Sequence, residues 1–372
     1  MPEPRFLQIH TLTAYPAALL NRDDSGLAKR LPYGGVIRTR VSSQCLKRHW
    51  RDADDPHALH AIDGAEAAFR SRELVTRKVL EGLATSEEVI KAIGPEFQMA
   101  VYGEKGTAKN ARQTLLLGEP EIIWLRSEAE RLAGEAGGDA TAAKTLAAEW
   151  RKTFQGNIKA MRDATALPGG LAAALFGRMV TSDTSANITA PVHVAHAFTV
   201  GGEESESDYF TAVDDLADDA PGADTIQETE LTSGLYYGYV VVDLPGLRRN
   251  RGPAADTLAG PVLHNLVHLI AEVSPGAKLG STAPYSRASF MLLEAGDRQP
   301  RSLAEAFTVP VRGDAAAATK ALAEHLERLD AAYATGEERR FLSLRDGTVP
   351  GATRGTLKAL ADFAAALPGR LA

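Results

Sequence analysis

One cysteine, Cys45, occurs in 372 residues. No intrachain disulfide can form, and a cysteine-built zinc site is not expected. Such usage fits a reducing cytoplasm. No run is long and apolar enough to span a bilayer. The N-terminus, MPEPRFLQIH, lacks the basic and apolar regions of a secretory signal. A cytoplasmic protein with no membrane partner is the expectation. P-loop, dinucleotide-binding, zinc-finger and RNP sequences are all missing, and no HExxH glutamate stands between His264 and His268. Residues 203–230 lack Lys and Arg entirely and hold eleven Asp or Glu.

What is present is a sharp contrast of charge. The chain has a formal net charge of −7, yet residues 22–51 carry eight Lys or Arg against two Asp. A dense basic patch in an acidic protein is the electrostatic footprint of a polyanion, most often nucleic acid. The 44% hydrophobic content suffices for a real core. The length implies a large domain with insertions, or about two domains.

Alternation marks strands at Phe6 to Leu12, Val36 to Val41, Val192 to Val200, Leu235 to Asp243 and Ser289 to Glu294. Asn21 to Gly35 reads as a loop, with Gly34–Gly35 and Gly169–Gly170 as turns. Helices are expected at Gln44 to Arg51, Phe69 to Leu83, Leu115 to Leu132, Lys144 to Met161, 171–180, Pro261 to Val273, Ala315 to Ala334 and 357–367. The acidic run reads as an exposed excursion. Interleaved strands and helices suggest an α+β core of the ferredoxin-like, split βαβ kind, with one helical and one acidic insertion.

On the helix after Ser43, residues Gln44, Lys47, Arg48 and Arg51 fall on one face by their spacing, and Leu46 and Trp50 on the apolar face. Ser42 and Ser43 stand at the helix start, where backbone N–H groups favour anions. Arg38 and Arg40 project from one face of the preceding strand, and Arg22 and Lys29 lie in the loop before it. Loop, strand and helix could thus converge on one polyanion, gripped through its phosphates rather than read by its bases. About five neutralised phosphates would give a log K against log[salt] slope near −3.5, at ~0.7 per phosphate of a single strand.

Other chemistry is weaker. His264 and His268, like His193 and His196, are read as packing or polar-surface residues, and no metal site or cofactor is expected. Asp23 and Asp24 could hold Mg²⁺ for nucleolytic chemistry, but no third carboxylate is apparent, and a turn role competes.

NRDD (21–24), RVSSQCLKRHWR (40–51), ALFGRM (174–179), HVAHAFTV (193–200), DYFTAVDD (208–215), SGLYYGYVVVD (233–243) and QPRSLAEAF (299–307) occur in this order. Together they resemble the CasC family, the backbone subunit of the type I-E CRISPR Cascade complex. His49 and Trp50 are bulkier than is usual there in the family. The resemblance implies a hand-shaped, non-catalytic subunit. An RRM-like palm would take 1–52, 171–193 and, with C-terminal helices, 233–372. Helical fingers would take 53–170 and a thumb hairpin 194–232. It implies head-to-tail assembly along a CRISPR guide RNA with other Cascade subunits, and target DNA recognition through that guide in antiviral defence. Carried over by residue, the RNA-binding positions are Asn21, Arg22, Lys29, Ser42, Gln44, Lys47 and Arg51. Met179 would be the wedge beside a displaced base, with Arg178 next to it. The alternative is a metal-dependent RNA nuclease on such a palm, using Asp23 and Asp24. The acidic thumb is expected to face solvent, a basic neighbour or another subunit, so that neutralising Asp214, Asp215, Asp218 and Asp219 weakens assembly.

Overall fold

The computed structural model describes residues 3–213, 223–250, 255–312 and 314–370. In chain order it begins with β1 (Phe6–Ala18), β2 (Arg30–Tyr33), β3 (Val36–Val41) and α1 (Ser43–Arg51). There follow β4 (Ala68–Ser71), α2 (Glu87–Tyr102), β5 (Leu115–Gly118), α3 (Glu119–Glu135), α4 (Ala140–Ala164) and α5 (Gly170–Phe176). Next come β6 (Val192–Val194), β7 (Ala197–Thr199), β8 (Glu204–Val213) and β9 (Ala223–Asp243). The chain continues through α6 (Leu244–Asn250), α7 (Ala255–Glu272), α8 (Leu279–Thr282), β10 (Phe290–Gly296) and α9 (Ala315–Tyr333), and ends with β11 (Glu338–Ser343), β12 (Ala352–Arg354) and α10 (Leu357–Ala366). Among the described residues no helix is long and apolar enough to cross a membrane.

The chain divides into two compact units. The first joins Met1–Ala58, His193–Leu244 and Gly260–Ala372, and the second joins Leu59–Val192 and Pro245–Ala259. Residues 171–192, expected with the palm, cluster with the helical unit.

The first unit is built on a mixed sheet of order β12-β11-β10-β1-β9-β7-β3-β2. β1 lies between β10 and β9, antiparallel to both, and β9 is antiparallel to β7. Side chains alternate faces along each strand. Leu12, Leu235, Tyr237 and Leu292 pack with Leu322 and Leu326 of α9. Tyr15, Val41, Ala197 and Tyr236 form a second cluster, against which Cys45 and Leu46 of α1 pack. α1 is thereby seated on the sheet with its polar face outward.

One expectation changes here. Residues 30–33, read as loop, form β2. Gly34 and Gly35 take φ of 62° and 80°, the two positive values of a two-residue hairpin turn, so the chain folds straight back onto β3. A Cβ on Gly34 would come within 1.8 Å of the Thr308 carbonyl oxygen. The described part of the acidic run is a hairpin, with β8 paired to β9 from Glu204↔Ser233 to Val213↔Ala223, and residues 204–210 are exposed as expected. β9 is one 21-residue strand that serves this hairpin and then the sheet. Asp214, Asp215, Asp218 and Asp219 lie outside the described residues.

In the second unit, α2, α3 and α4 enclose a core that includes Ile93, Phe97, Leu125, Trp150 and Phe154. Residues 68–71 and 115–118, read as helix starts, pair instead as β4 and β5. A run of three leucines followed by glycine does not distinguish strand from helix by period. Val75–Leu80 is a π-helical turn.

Candidate nucleic-acid interface

The basic helix α1 is fixed at both ends. Ser42 is its N-cap, accepting the Cys45 N–H at 3.3 Å, and the Ser42 N–H donates to Asn21 Oδ1 at 2.9 Å. Both residues therefore shape the site. Ser42 is buried, so its hydroxyl is not offered to a ligand as expected. Trp50 is buried, as the spacing required. His49 donates from Nδ1 to the Cys45 carbonyl at 2.8 Å and accepts the Gly276 N–H at Nε2 at 3.4 Å, which accounts for its bulk. Gln44 and Arg48 are exposed, and Lys47 and Arg51 half-buried. Arg51 forms a two-pronged bond to Asp52 at 2.8 and 3.0 Å, and Arg48 reaches the same carboxylate at 3.6 Å.

Loop, strand and helix start adjoin: the Arg40 N–H donates to the Lys29 carbonyl at 2.8 Å, and the Ser42 N–H to Asn21. Arg40 of β3 bonds His196 Nδ1 at 2.9 Å and the Arg30 carbonyl at 3.1 Å. The His196 pKa is lowered, first by partial burial and then by Arg40, Lys29 and Lys47. Cys45 reports the same field: burial raises its pKa, while Lys29 and Arg48 oppose that rise. Arg22 is exposed in the adjoining loop.

Other expected ligand contacts have different work. Arg38 is 0% exposed. Its guanidinium donates to the carbonyls of Tyr33, Thr199, Val200, Gly201 and Phe307 at 2.6–3.1 Å. It ties β2 and β7 to the segments that follow Thr199 and to Phe307, and cannot reach a phosphate. The alternation argument failed there because Arg38 and Thr39 are both buried while Ile37 is exposed. Arg178, in the second unit, is also buried. It bonds Glu121 at 2.6 Å and the Ala186 carbonyl at 2.8 Å, and Arg162 holds the other oxygen of Glu121 at 2.6 Å. Met179 beside it is 74% exposed. Asp23 accepts the N–H groups of Ser25 and Leu27, both at 3.0 Å, as a turn-forming residue.

Sequence reasoning missed Arg30. It pairs with Glu203 at 2.5 Å and with Glu230, whose carboxylate also accepts the Ala28 N–H at 2.6 Å. Partial burial works against the Arg30 charge, but the two carboxylates prevail and raise its pKa. The basic stretch and the acidic hairpin therefore meet within one chain. It also missed a buried network under the sheet. Glu294 receives two bonds from Arg301 and one from Arg339, all at 2.7 Å, and contacts His10 Nε2 at 3.0 Å. The other nitrogen of His10 meets the Tyr237 hydroxyl at 2.9 Å, which accepts the Leu303 N–H at 2.9 Å. The QPRS segment thus anchors the sheet. Burial disfavours charge on Glu294, but His10 and Arg301 outweigh it, and its pKa falls far below the usual carboxylate range.

No curated protein sequence matches the chain. Two solved structures are similar along nearly its whole length. One is a chain titled "CRISPR RNA-guided surveillance complex, pre-nicking", with a TM-score of 0.81 and 25% identity over 98% of this chain and 100% of that one. The other, titled "CRISPR RNA-guided surveillance complex", has a TM-score of 0.60 and 21% identity over 97% and 98%. The second supports the fold alone. The family model of the CT1975-like proteins matches residues 7–366. With the motif order pointing to the same kind of CRISPR-associated protein, the chain belongs to the Cas_CT1975 family.

Proposed function

We propose that this chain is a non-catalytic, RNA-binding component of a Cascade complex. It grips a CRISPR guide RNA through its phosphates and stacks head to tail with further copies along that guide. Target DNA is then recognised by pairing with the guide, in the cytoplasm, with other Cascade subunits in the assembly. The observation that carries this reading is that three basic elements adjoin in a chain of net charge −7: the Arg40 N–H of β3 donates to the Lys29 carbonyl of the loop at 2.8 Å, and Ser42 at the start of α1 donates its N–H to Asn21 of the same loop at 2.9 Å. The whole-length likeness to a chain from an RNA-guided surveillance complex supports it. The strand order β10-β1-β9-β7, with antiparallel neighbours, supports an RRM-like palm, and the β8–β9 hairpin supports a thumb. Exposed Met179 suits the wedge beside a displaced base.

No observation favours the nuclease reading, since the Asp23 carboxylate is bound to its own turn. The test is to express the chain with guide RNA, measure RNA in the purified material by absorbance at 260 nm, and incubate it with Mg²⁺. Retained, uncut RNA in multi-copy particles is expected. RNA-free protein would overturn the binding role, and cleavage lost in Asp23→Ala would overturn the non-catalytic one.

A further inference from the structure

The first unit holds a cluster of histidines that the guide-binding reading does not use. His264 and His268 lie one turn apart on α7, and the loop after α1 brings His57 to them. One ring nitrogen from each lies within 4.8 Å of the others. The His57 and His268 rings stack at 3.7 Å with 2° between planes, and His264 lies 5.0 Å from His268, centroid to centroid. In sequence the helical pair had no third partner, and the fold supplies it from some two hundred residues away.

The surroundings match what ligating imidazoles require. A metal-bound histidine usually donates its second N–H to a carboxylate or carbonyl, which fixes the ring and raises its basicity. His268 Nδ1 meets Glu272 at 3.1 Å, and His57 Nδ1 meets Asp55 at 3.4 Å. His264 has Asn265 Oδ1 at 3.2 Å from Nδ1 and Asp362 at 3.7 Å from Nε2. The second nitrogens of His57 and His268 are left for a common ligand. Two cations lie nearby, Arg287 at 3.3 Å from Glu272 and Lys358 at 2.7 Å from Asp362. Asp55, Glu272 and Asp362 together still outnumber them around the three imidazoles, which favours a cation there.

We propose that His57, His264 and His268 bind one divalent transition-metal ion of the Zn²⁺ class, with a fourth position left to water. Tetrahedral Zn²⁺ with bonds of about 2.0–2.1 Å holds its nitrogens about 3.4 Å apart, so the rings must unstack and close by roughly 1.4 Å or less. The ion staples the loop at 52–58 to α7. That loop is the direct continuation of the basic helix α1, and its Ala58 carbonyl already accepts the Asn265 amide at 3.4 Å.

The test uses the full chain, stripped with a chelator and titrated with Zn²⁺ by calorimetry, with Co²⁺ as an optical probe. One Zn²⁺ per chain, a rise of several degrees in Tm and a visible Co²⁺ ligand-field band are expected. His268→Ala abolishes all three. His57→Ala, on a half-buried loop, leaves the metal-free Tm unchanged but weakens Zn²⁺ binding at least tenfold. Asp55→Asn weakens it by about 10–100-fold. Absence of binding to the wild-type chain at micromolar Zn²⁺ overturns the proposal. Equal Zn²⁺ affinity in His57→Ala also overturns it.

Discussion

Arg38 and Arg40 stand two residues apart on β3 and carry the same charge, yet one is fully buried and the other half-exposed. The charge-matched pair Arg38→Gln and Arg40→Gln separates folding from binding. The Arg38 guanidinium donates to five carbonyl oxygens, four of them between 2.8 and 3.1 Å and one at 2.6 Å. Hydrogen bonds to a charged group contribute about 1.5–3 kcal/mol each and are not additive, and Gln can replace two at most. The carbonyls left behind are shielded from water, so Arg38→Gln should cost about 3–5 kcal/mol. At about 2–4 °C per kcal/mol, Tm falls by about 10 °C. Arg40 makes two bonds at a half-exposed site, so Arg40→Gln costs about 1 kcal/mol. The order inverts for RNA. Measured by filter binding across salt concentrations, well below either Tm, Arg40→Gln loses ~0.7 of the log K against log[salt] slope, and Arg38→Gln loses none. An Arg38→Gln protein with wild-type Tm and a reduced slope would refute the reasoning, because the arginine would then be meeting phosphate.

Lys47→Ala should likewise remove ~0.7 of the slope and weaken all RNA sequences alike, and a sequence-selective loss would contradict backbone readout. Burial lowers the pKa of His10 despite Glu294, and His196, His268 and His325 move the same way. The unfolded chain therefore takes up protons below about pH 6.5 that the fold does not, so Tm should drop from pH 7 to pH 5. His10→Gln should flatten that drop when melts are compared across pH. Arg30→Ala leaves Glu203 and Glu230 facing each other, so hydrogen exchange at 204–209 should rise about tenfold while the salt slope stays unchanged.

The sequence showed the parts of this site whose signals are local. The face of α1 followed from spacing, because Leu46 and Trp50 had to be buried and that turned Lys47 and Arg48 outward. The adjacency of loop, strand and helix start was legible for the same reason, since they follow one another directly in the chain. Arg38 was not legible. Strand alternation assumes a flat sheet with one wet face, and the β2–β3 hairpin bends against segments 199–201 and 307, whose carbonyls need a donor. The Arg30, Glu121 and Glu294 networks were hidden because each partner is far away in sequence. Composition alone marked the acidic run as exposed but not as strand, and only the resemblance implied a hairpin within 194–232; β9 runs unbroken from that hairpin into the sheet. His57 had no signal at all until the fold set it beside α7.

The hairpin's acids are not spread evenly, and this bears on how a polyanion can approach. By register, Glu204, Glu206 and Asp208 share a face with Ser233, Leu231 and Thr229, and all three acids are exposed. The other face carries Glu228 and Glu230 opposite Tyr209 and Ser207. Glu230 is neutralised by Arg30, and Glu228 accepts the Ser207 hydroxyl at 2.8 Å. Tyr209 remains 60% exposed there. Residues two apart on a strand are about 6.6 Å apart, inside the ~8 Å Debye length at physiological salt, so the three acids reinforce one another, with Lys278 bonded to Thr229 on the same face as one cation against three. On the proposed function, a phosphate chain would be disfavoured at that face and would approach along the Arg30 side, where the hairpin's charge is matched by Arg30. Glu203 and Glu230 take up Arg30 and so seat the acidic hairpin against the basic stretch within one chain.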